Sequence, residues 1–171
     1  MPLKAQSLTL LLSHYETGRY REIRAWHNDV HRVELQAMVP HIYHSEDLVA
    51  PPEYMDARAF TELKWRGGEC LSLYWSEGSL EALTEDNRKA SQDRRNAGSY
   101  HPFQDVVWAA RMRAHDAYPR AALGYDVNAA PFAPNTGLVL VVEQIVDPAR
   151  QAEYAAWLEQ DRKSTRLNSS H

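Results

Sequence analysis

The chain has one cysteine, Cys70, among 171 residues. An intramolecular disulfide is therefore excluded, and so is a zinc site built on cysteine pairs. No run approaches the roughly 18 apolar residues of a membrane span, so no membrane partner is expected. The start, "MPLKAQSLTLLLSH", holds a short apolar run without a small-residue cleavage site and reads as a first strand, not a signal peptide. Charge of one sign is also missing. Lys and Arg total 19 against 23 Asp and Glu, a formal net charge of -4 that offers no general attraction to nucleic acid. Arg88, Lys89, Arg94 and Arg95 do cluster, but Glu85, Asp86 and Asp93 lie among them, the pattern of a solvated helix face. No glycine-rich phosphate loop, nucleophile elbow or paired-carboxylate motif occurs. The expectations are a reducing cytoplasmic compartment, no cofactor and no metal.

What is present is the balance of a globular domain, 44% hydrophobic and 25% charged, with length enough for a real core. Residues 7–15, "SLTLLLSHY", read as a strand bounded by the turn-like "ETG". Residues 19–38 are helical in pattern: at about 100° per residue Ile23, Trp26, Val30, Val33 and Ala37 share one face, with His27, His31, Tyr20 and Met38 along its edge. A polar loop with Pro51-Pro52 follows. "ARAFTELKW" and "ECLSLYWS" then flank Gly67-Gly68 as a hairpin, and the lone Cys70 acts there as a small hydrophobe. Ser79 is placed to N-cap a second helix that Gly98 ends. Residues 105–118 carry small residues that also allow a helix, but the order strand–helix–strand–strand–helix is completed by a fourth strand, which makes β-α-β-β-α-β, the split βαβ unit.

After a Pro/Ala/Asn-rich linker, residues 119–136, the apolar "TGLVLVVEQIV" reads as another strand, with a helix capped by Asp147 and started by Pro148. This strand, turn and helix repeat those of 7–29 after one inserted residue, aligning Glu22, Ala25 and Trp26 with Glu153, Ala156 and Trp157. The expected organisation is a first unit over 1–118, the linker, and the first strand and helix of a second copy over 137–160. The tail 161–171, "DRKSTRLNSSH", is similar to the translation of a widely used sequencing-library adapter. The natural protein is thus expected to continue past Gln160.

The stretch "RAWHNDVH" puts His27 and His31 at the i, i+4 spacing of a two-histidine metal site. A catalytic zinc also needs a third ligand and a general base. Asn28 stands where the glutamate of H-E-x-x-H would be and takes no proton, so a zinc peptidase is not expected.

Trp26-His27-Asn28-Asp29-Val30-His31, "CLSLYWSEGSLEAL" (70–83) and "YAAWLE" (154–159), in this element order, resemble the EthD-like branch of the dimeric α+β barrel superfamily. The resemblance covers residues 7–118 and 137–160. Two departures stand out: "HIYHSEDLVAPPEYMDA" is longer than the usual link to the second strand, and Arg32-Val33 replaces the Ile-Pro that often follows the family histidine. The resemblance implies a ferredoxin-like α+β unit whose sheet pairs with another, between chains or tandem repeats, around an apolar cavity. Relatives include cofactor-independent cyclases and isomerases, monooxygenases of aromatic polyketides and haem-dependent enzymes. EthD-like members accompany degradation pathways. The function so implied is binding, and conversion without a cofactor, of a small hydrophobic or aromatic metabolite. The alternative is a non-catalytic accessory subunit that pairs through its sheet.

An ordinary histidine titrates near neutrality, so His31 is the candidate acid/base or orienting group, set against a purely structural bond to a backbone carbonyl. Trp26, with its counterpart Trp157, reads first as a core anchor. His14, Tyr74, Trp108, Arg111 and His115 lie on strand candidates, where alternate residues face one side, and together with Trp26 and His27 they are the pocket candidates.

Overall fold

The computed structural model describes residues 5–58, 67–99, 104–114, 127–132 and 146–168. Contacts divide the chain into two compact units: Met1–Pro119 with Tyr125–Pro134, and Arg120–Gly124 with Asn135–His171.

In the first unit β1 (Ser7–Tyr15) leads into α1 (Tyr20–Trp26), a π-helical turn over His27–His31, and α2 (Arg32–Met38). Then come β2 (Ile42–Val49), the short α3 (Pro52–Asp56), β3 (Cys70–Ser76), α4 (Leu80–Asn96) and β4 (Gln104–Arg113). The sheet order is β2-β3-β1-β4 and every neighbouring pair is antiparallel. The parallel β1 and β2 have β3 between them, so this is the split βαβ arrangement of an α+β, ferredoxin-like unit.

Two sequence expectations are corrected. The second strand is not 57–65, of which 59–66 lie outside the described residues, but Ile42–Val49, inside the stretch read as a polar loop. It pairs with β3 from Ile42 opposite Ser76 to Val49 opposite Cys70, with a bulge between Ile42 and His44. Periodicity misses it because its inward residues after the bulge include Ser45 and Asp47, which no apolar alternation marks. The described part of the fourth strand ends at Arg113, and 115–118 lie outside the described residues.

The second correction concerns the buried stripe of the first helix. Ile23, His27, His31 and Leu35 are buried, and Val39 follows them. Val30 and Val33, expected inside, are 38% and 60% exposed. On a straight α-helix Ile23 and Leu35 would point about 120° apart. The π-helical turn contributes one extra residue to the helical path and turns the following segment back by about 100°, realigning the two.

Between helices and sheet two apolar clusters form. Leu35, Val39, Ile42, Tyr74, Leu83 and Ala90 make one, and Tyr15, Ile23 and Cys70 the other. Each fully buried large side chain contributes about 1.5–3 kcal/mol relative to exposure. On the opposite sheet face Leu10, Leu12 and Leu73 are buried as well, and Gly68 leaves no room for a Cβ against Leu12.

The caps of α4 follow the sequence. Ser79 Oγ accepts from the Ala82 N–H at 3.1 Å. At the other end Ser99 N–H donates to Arg94 O and Gly98 N–H to Arg95 O, the two bonds of a Schellman motif, with Gly98 at φ 68°.

The second unit is described from Val146. Asp147 caps a 3-10 turn (Pro148–Arg150) by accepting from the Ala149 N–H, and α5 (Gln151–Asn168) follows. Its backbone stays helical beyond Gln160, since Gln, Arg and Lys are sound helix formers. The strand expected over 136–146 lies almost wholly outside the described residues, as does most of the linker, apart from a 3-10 turn over Val127–Phe132 in the first unit. Among the described residues no helix is long and apolar enough to cross a membrane.

Candidate functional site

The π-helical turn presses His27 fully into the interface between the first helix and the sheet. His27 Nδ1 lies 2.8 Å from Asp47 Oδ2, and Nε2 lies 3.2 Å from the Tyr74 hydroxyl and 3.5 Å from Ser72 Oγ. β2 supplies Asp47, and β3 supplies Ser72 and Tyr74, all on the helix-facing side of the sheet. Burial pushes the Asp47 carboxyl up, but the hydrogen bond and charge of His27, with Ser72 and Arg32, outweigh it and hold the group below its ordinary value. Asp47 is therefore a carboxylate at neutral pH. Burial, then the Asp47 charge, raises the Tyr74 hydroxyl, which stays protonated. The two neighbours thereby assign the imidazole protons. Tyr74 O–H donates to His27 Nε2, and His27 Nδ1–H donates to Asp47.

His31 lies one turn further on. Its ring is 4.7 Å from that of His27 and edge-on to Tyr74 at 6.4 Å. Its outer side is covered by Trp26, stacked at 5.1 Å and 30°. Burial, then the Arg94 charge, pushes the imidazole down to about 2, so it is neutral at physiological pH. A neutral imidazole orients or accepts but donates no proton from an imidazolium. His31 Nδ1 is buried and, among the described residues, has no hydrogen-bond partner; the same holds for Asp47 Oδ1 and the Ser7, Thr9 and Ser76 hydroxyls of this sheet face. A buried polar atom without a partner costs about 1–3 kcal/mol, and each such atom is an available contact for a water or a ligand.

Arg94 closes the cluster from α4. It is 3% exposed, its Nε is 3.3 Å from Glu34, its NH2 donates to Ser99 O, and its guanidinium lies 5.8 Å from the centre of the Trp26 ring. This corrects the reading of Arg94 as part of a solvated face. Its spacing from Leu83 and Ala90 on the same helix face was the sequence signal for burial. Trp26 itself is half-buried and packs on His31 and Arg94, not deep in the core; Trp157 is 53% exposed.

The pocket candidates divide. Trp26, His27, His31 and Tyr74 come together. His14 and Trp108 lie on the other sheet face, where the exposed His14 pairs with Glu69 at 2.9 Å and Trp108 sits opposite Leu12. Arg111 is on the helix-facing side of β4 but at the sheet's margin, against α4. His115 lies outside the described residues. Sequence reasoning missed Asp47, Ser72 and Arg94. Reading 42–49 as a strand would have found Asp47, because the period of two places Ser45, Asp47 and Val49 on one face.

The hydroxyl–imidazole–carboxylate chain has the connectivity by which a histidine takes a proton from a hydroxyl while a carboxylate holds the ring. Among the described residues no group of three or more His, Cys, Asp or Glu is placed to hold a metal ion. Cys70 contributes no nucleophile. Burial pushes its thiol up to about 11, and Sγ accepts from the Tyr15 hydroxyl at 3.3 Å.

No family model matches the chain, and no curated protein matches it in sequence. Two solved structures resemble its backbone. HapK from Hahella chejuensis is 10% identical with a TM-score of 0.45, over 66% of this chain and 97% of its own. Atu4242 from Agrobacterium tumefaciens is 11% identical with a TM-score of 0.41, over 65% of this chain and 93% of its own. Likeness of this degree assigns neither a reaction nor a ligand.

Proposed function

We propose that the chain is an EthD-like protein of the dimeric α+β barrel superfamily that binds, and converts without a cofactor, a small hydrophobic or aromatic metabolite carrying a hydroxyl or carbonyl group. The observation that carries this reading is the buried Tyr74–His27–Asp47 chain beside a neutral His31 with an unpartnered Nδ1. In this reading the Tyr74 hydroxyl passes its proton to His27 Nε2 as it takes one from the metabolite, Asp47 holds the His27 tautomer, and His31 orients the metabolite's polar group. Trp26 offers a half-buried aromatic face to its ring. The sequence repeat supports reading the second unit as the start of another copy, since Trp26 and Trp157 both lie on helices.

The test uses 1-naphthol and catechol as hydroxyl-bearing aromatic probes. Saturable quenching of tryptophan fluorescence is expected, lost in Trp26→Phe and weakened in His31→Ala. A His31→Ala protein and a Tyr74→Phe protein that keep both the fold and full probe binding reject the site.

A second reading rests on a different observation. On the sheet face without described helices, Leu8, Leu71 and Trp75 are only partly buried and Met112 is exposed, beside the buried Leu10, Leu12 and Leu73. An accessory subunit would use this apolar face to pair with a second sheet. Light scattering that returns a monomer at every concentration rejects it.

A further inference from the structure

Two guanidinium groups flank the histidine cluster, one from α2 and one from α4. Arg32 of α2 reaches β2: Nε donates to Ser45 Oγ at 3.0 Å and NH2 to the Ser45 carbonyl, while NH1 donates to Asn28 Oδ1 at 3.2 Å. Among the described residues these bonds all end on neutral oxygens, so they fix the group in place without cancelling its charge. Arg94 of α4, 3% exposed, is ion-paired with Glu34 at 3.3 Å and lies over Trp26, which stacks on His31. Glu34 is 38% exposed, and water screens its carboxylate far more than the buried guanidinium. Both cations reach the atoms that handle the proton. Burial and then Asp47 raise the Tyr74 hydroxyl, while Arg32 and Arg94 pull it down. Burial and then Arg94 keep His31 neutral, with His27 and Arg32 acting the same way and Asp47 against them. Asp47 itself is engaged by His27.

Given the assignment of Tyr74, His27 and His31 to the metabolite site, on which this rests, we propose that the metabolite is an acidic phenol or enol held as its oxyanion, with Arg32 and Arg94 as fixed counter-charges. The protons balance. The metabolite's O–H bond breaks toward the Tyr74 oxygen as the Tyr74 proton moves to His27 Nε2, 3.2 Å away. Tyr74 is left neutral, His27 becomes an imidazolium whose Nδ1–H still donates to Asp47 at 2.8 Å, and the negative charge stays on the metabolite oxygen. A guanidinium keeps its charge at every physiological pH, so it supplies the field without giving up a proton. Preorganised charges in a buried site act on an oxyanion more strongly than water does, because nothing has to reorient as it forms. A ligand of the same size without an acidic proton gains nothing from them.

The test uses 4-nitrophenol, whose visible absorption band belongs to its phenolate, against 4-nitroanisole, which has no proton to lose. Tryptophan quenching reports binding of either probe to the full chain, and the visible band reports the ionised fraction of bound 4-nitrophenol. Bound 4-nitrophenol should ionise about one pH unit below the free probe, and its phenolate should bind about tenfold more tightly than 4-nitroanisole. Arg32→Gln, at a half-buried position, should cancel most of both effects and leave 4-nitroanisole binding unchanged. Arg94→Gln should act in the same direction, whereas Lys89→Gln, an exposed cation of α4, should match the wild type. Circular dichroism checks each fold. Bound 4-nitrophenol that ionises no more readily than the free probe overturns the oxyanion and leaves the site standing, a result that needs no variant. Equal shifts in the wild type, Arg32→Gln and Arg94→Gln overturn the role of the two arginines. Failure of both probes to quench rejects the site itself, and the oxyanion with it.

Discussion

His31 makes the stability of this protein depend on pH in a window where few other groups change. Burial and the Arg94 charge lower its imidazole from the ordinary 6.5 to about 2 in the folded chain. Below pH 6.5 the unfolded chain therefore binds a proton that the folded chain refuses. Stability rises with pH wherever the unfolded state holds more protons, so it must fall as the solution is acidified from 6.5. The slope approaches about 1.4 kcal/mol per pH unit below the ordinary value, and acidification from about pH 6.5 to pH 4.5 removes about 2 kcal/mol. Asp47, also held below its ordinary value, acts in the same direction, but only nearer its ordinary 3.8. His44 is lowered too, mainly by burial, and contributes with the same sign. Replacing His31 by Phe, which keeps a ring against Trp26, isolates the single group. Urea unfolding across this window should show the wild type losing about 2–3 kcal/mol more than His31→Phe. Parallel curves for the two proteins would refute the argument that His31 is buried neutral.

Three further outcomes follow from the same geometry. Asp47→Ala leaves the buried His27 Nδ1–H without an acceptor and should cost about 2 kcal/mol in chemical denaturation, against about 1 kcal/mol for Tyr74→Phe, where Ser72 Oγ stands by at 3.5 Å. Deleting Asn28 removes the extra residue of the π-helical turn and leaves Ile23 and Leu35 eleven positions apart, about 20° on a regular α-helix, so the buried stripe should survive; a melting temperature lowered as far as by a core truncation would refute this account of the turn. Cys70, buried and raised to about 11, should resist a thiol reagent such as DTNB in the native state and react fully in denaturant; rapid native labelling contradicts its burial.

Much of the frame was legible because it depends on local signals. β1 and β3 are apolar runs. Ser79 and Gly98 are capping residues at the positions where α4 begins and ends, and the alternation of strands and helices limits the topologies to a few. β2 was not legible. His44, Ser45, Glu46 and Asp47 look like loop, and they become a strand because α1 and α2 bring the complementary groups. Arg32 and Gln36 bind Ser45, and His27 binds Asp47. A polar residue is stable inside a sheet–helix interface only when its partner arrives from elsewhere in the chain, and no local pattern reports that arrival.

The element order, the caps of α4 and the two histidines one turn apart are all local properties of the chain. What those histidines do depends on groups that the fold brings to them from β2, β3 and α4. His27 continues the buried face of Ile23 into the interface, where β2 meets it with a carboxylate and β3 with a phenol, and a one-residue excess in the helical path keeps His31 and Leu35 on that face. The same shift buries His31 beside Arg94 and strips its charge. The physical reason is that a side chain's orientation accumulates along the helix while its protonation depends on neighbours far away in sequence. Spacing alone therefore marks the pair but not the role of either member.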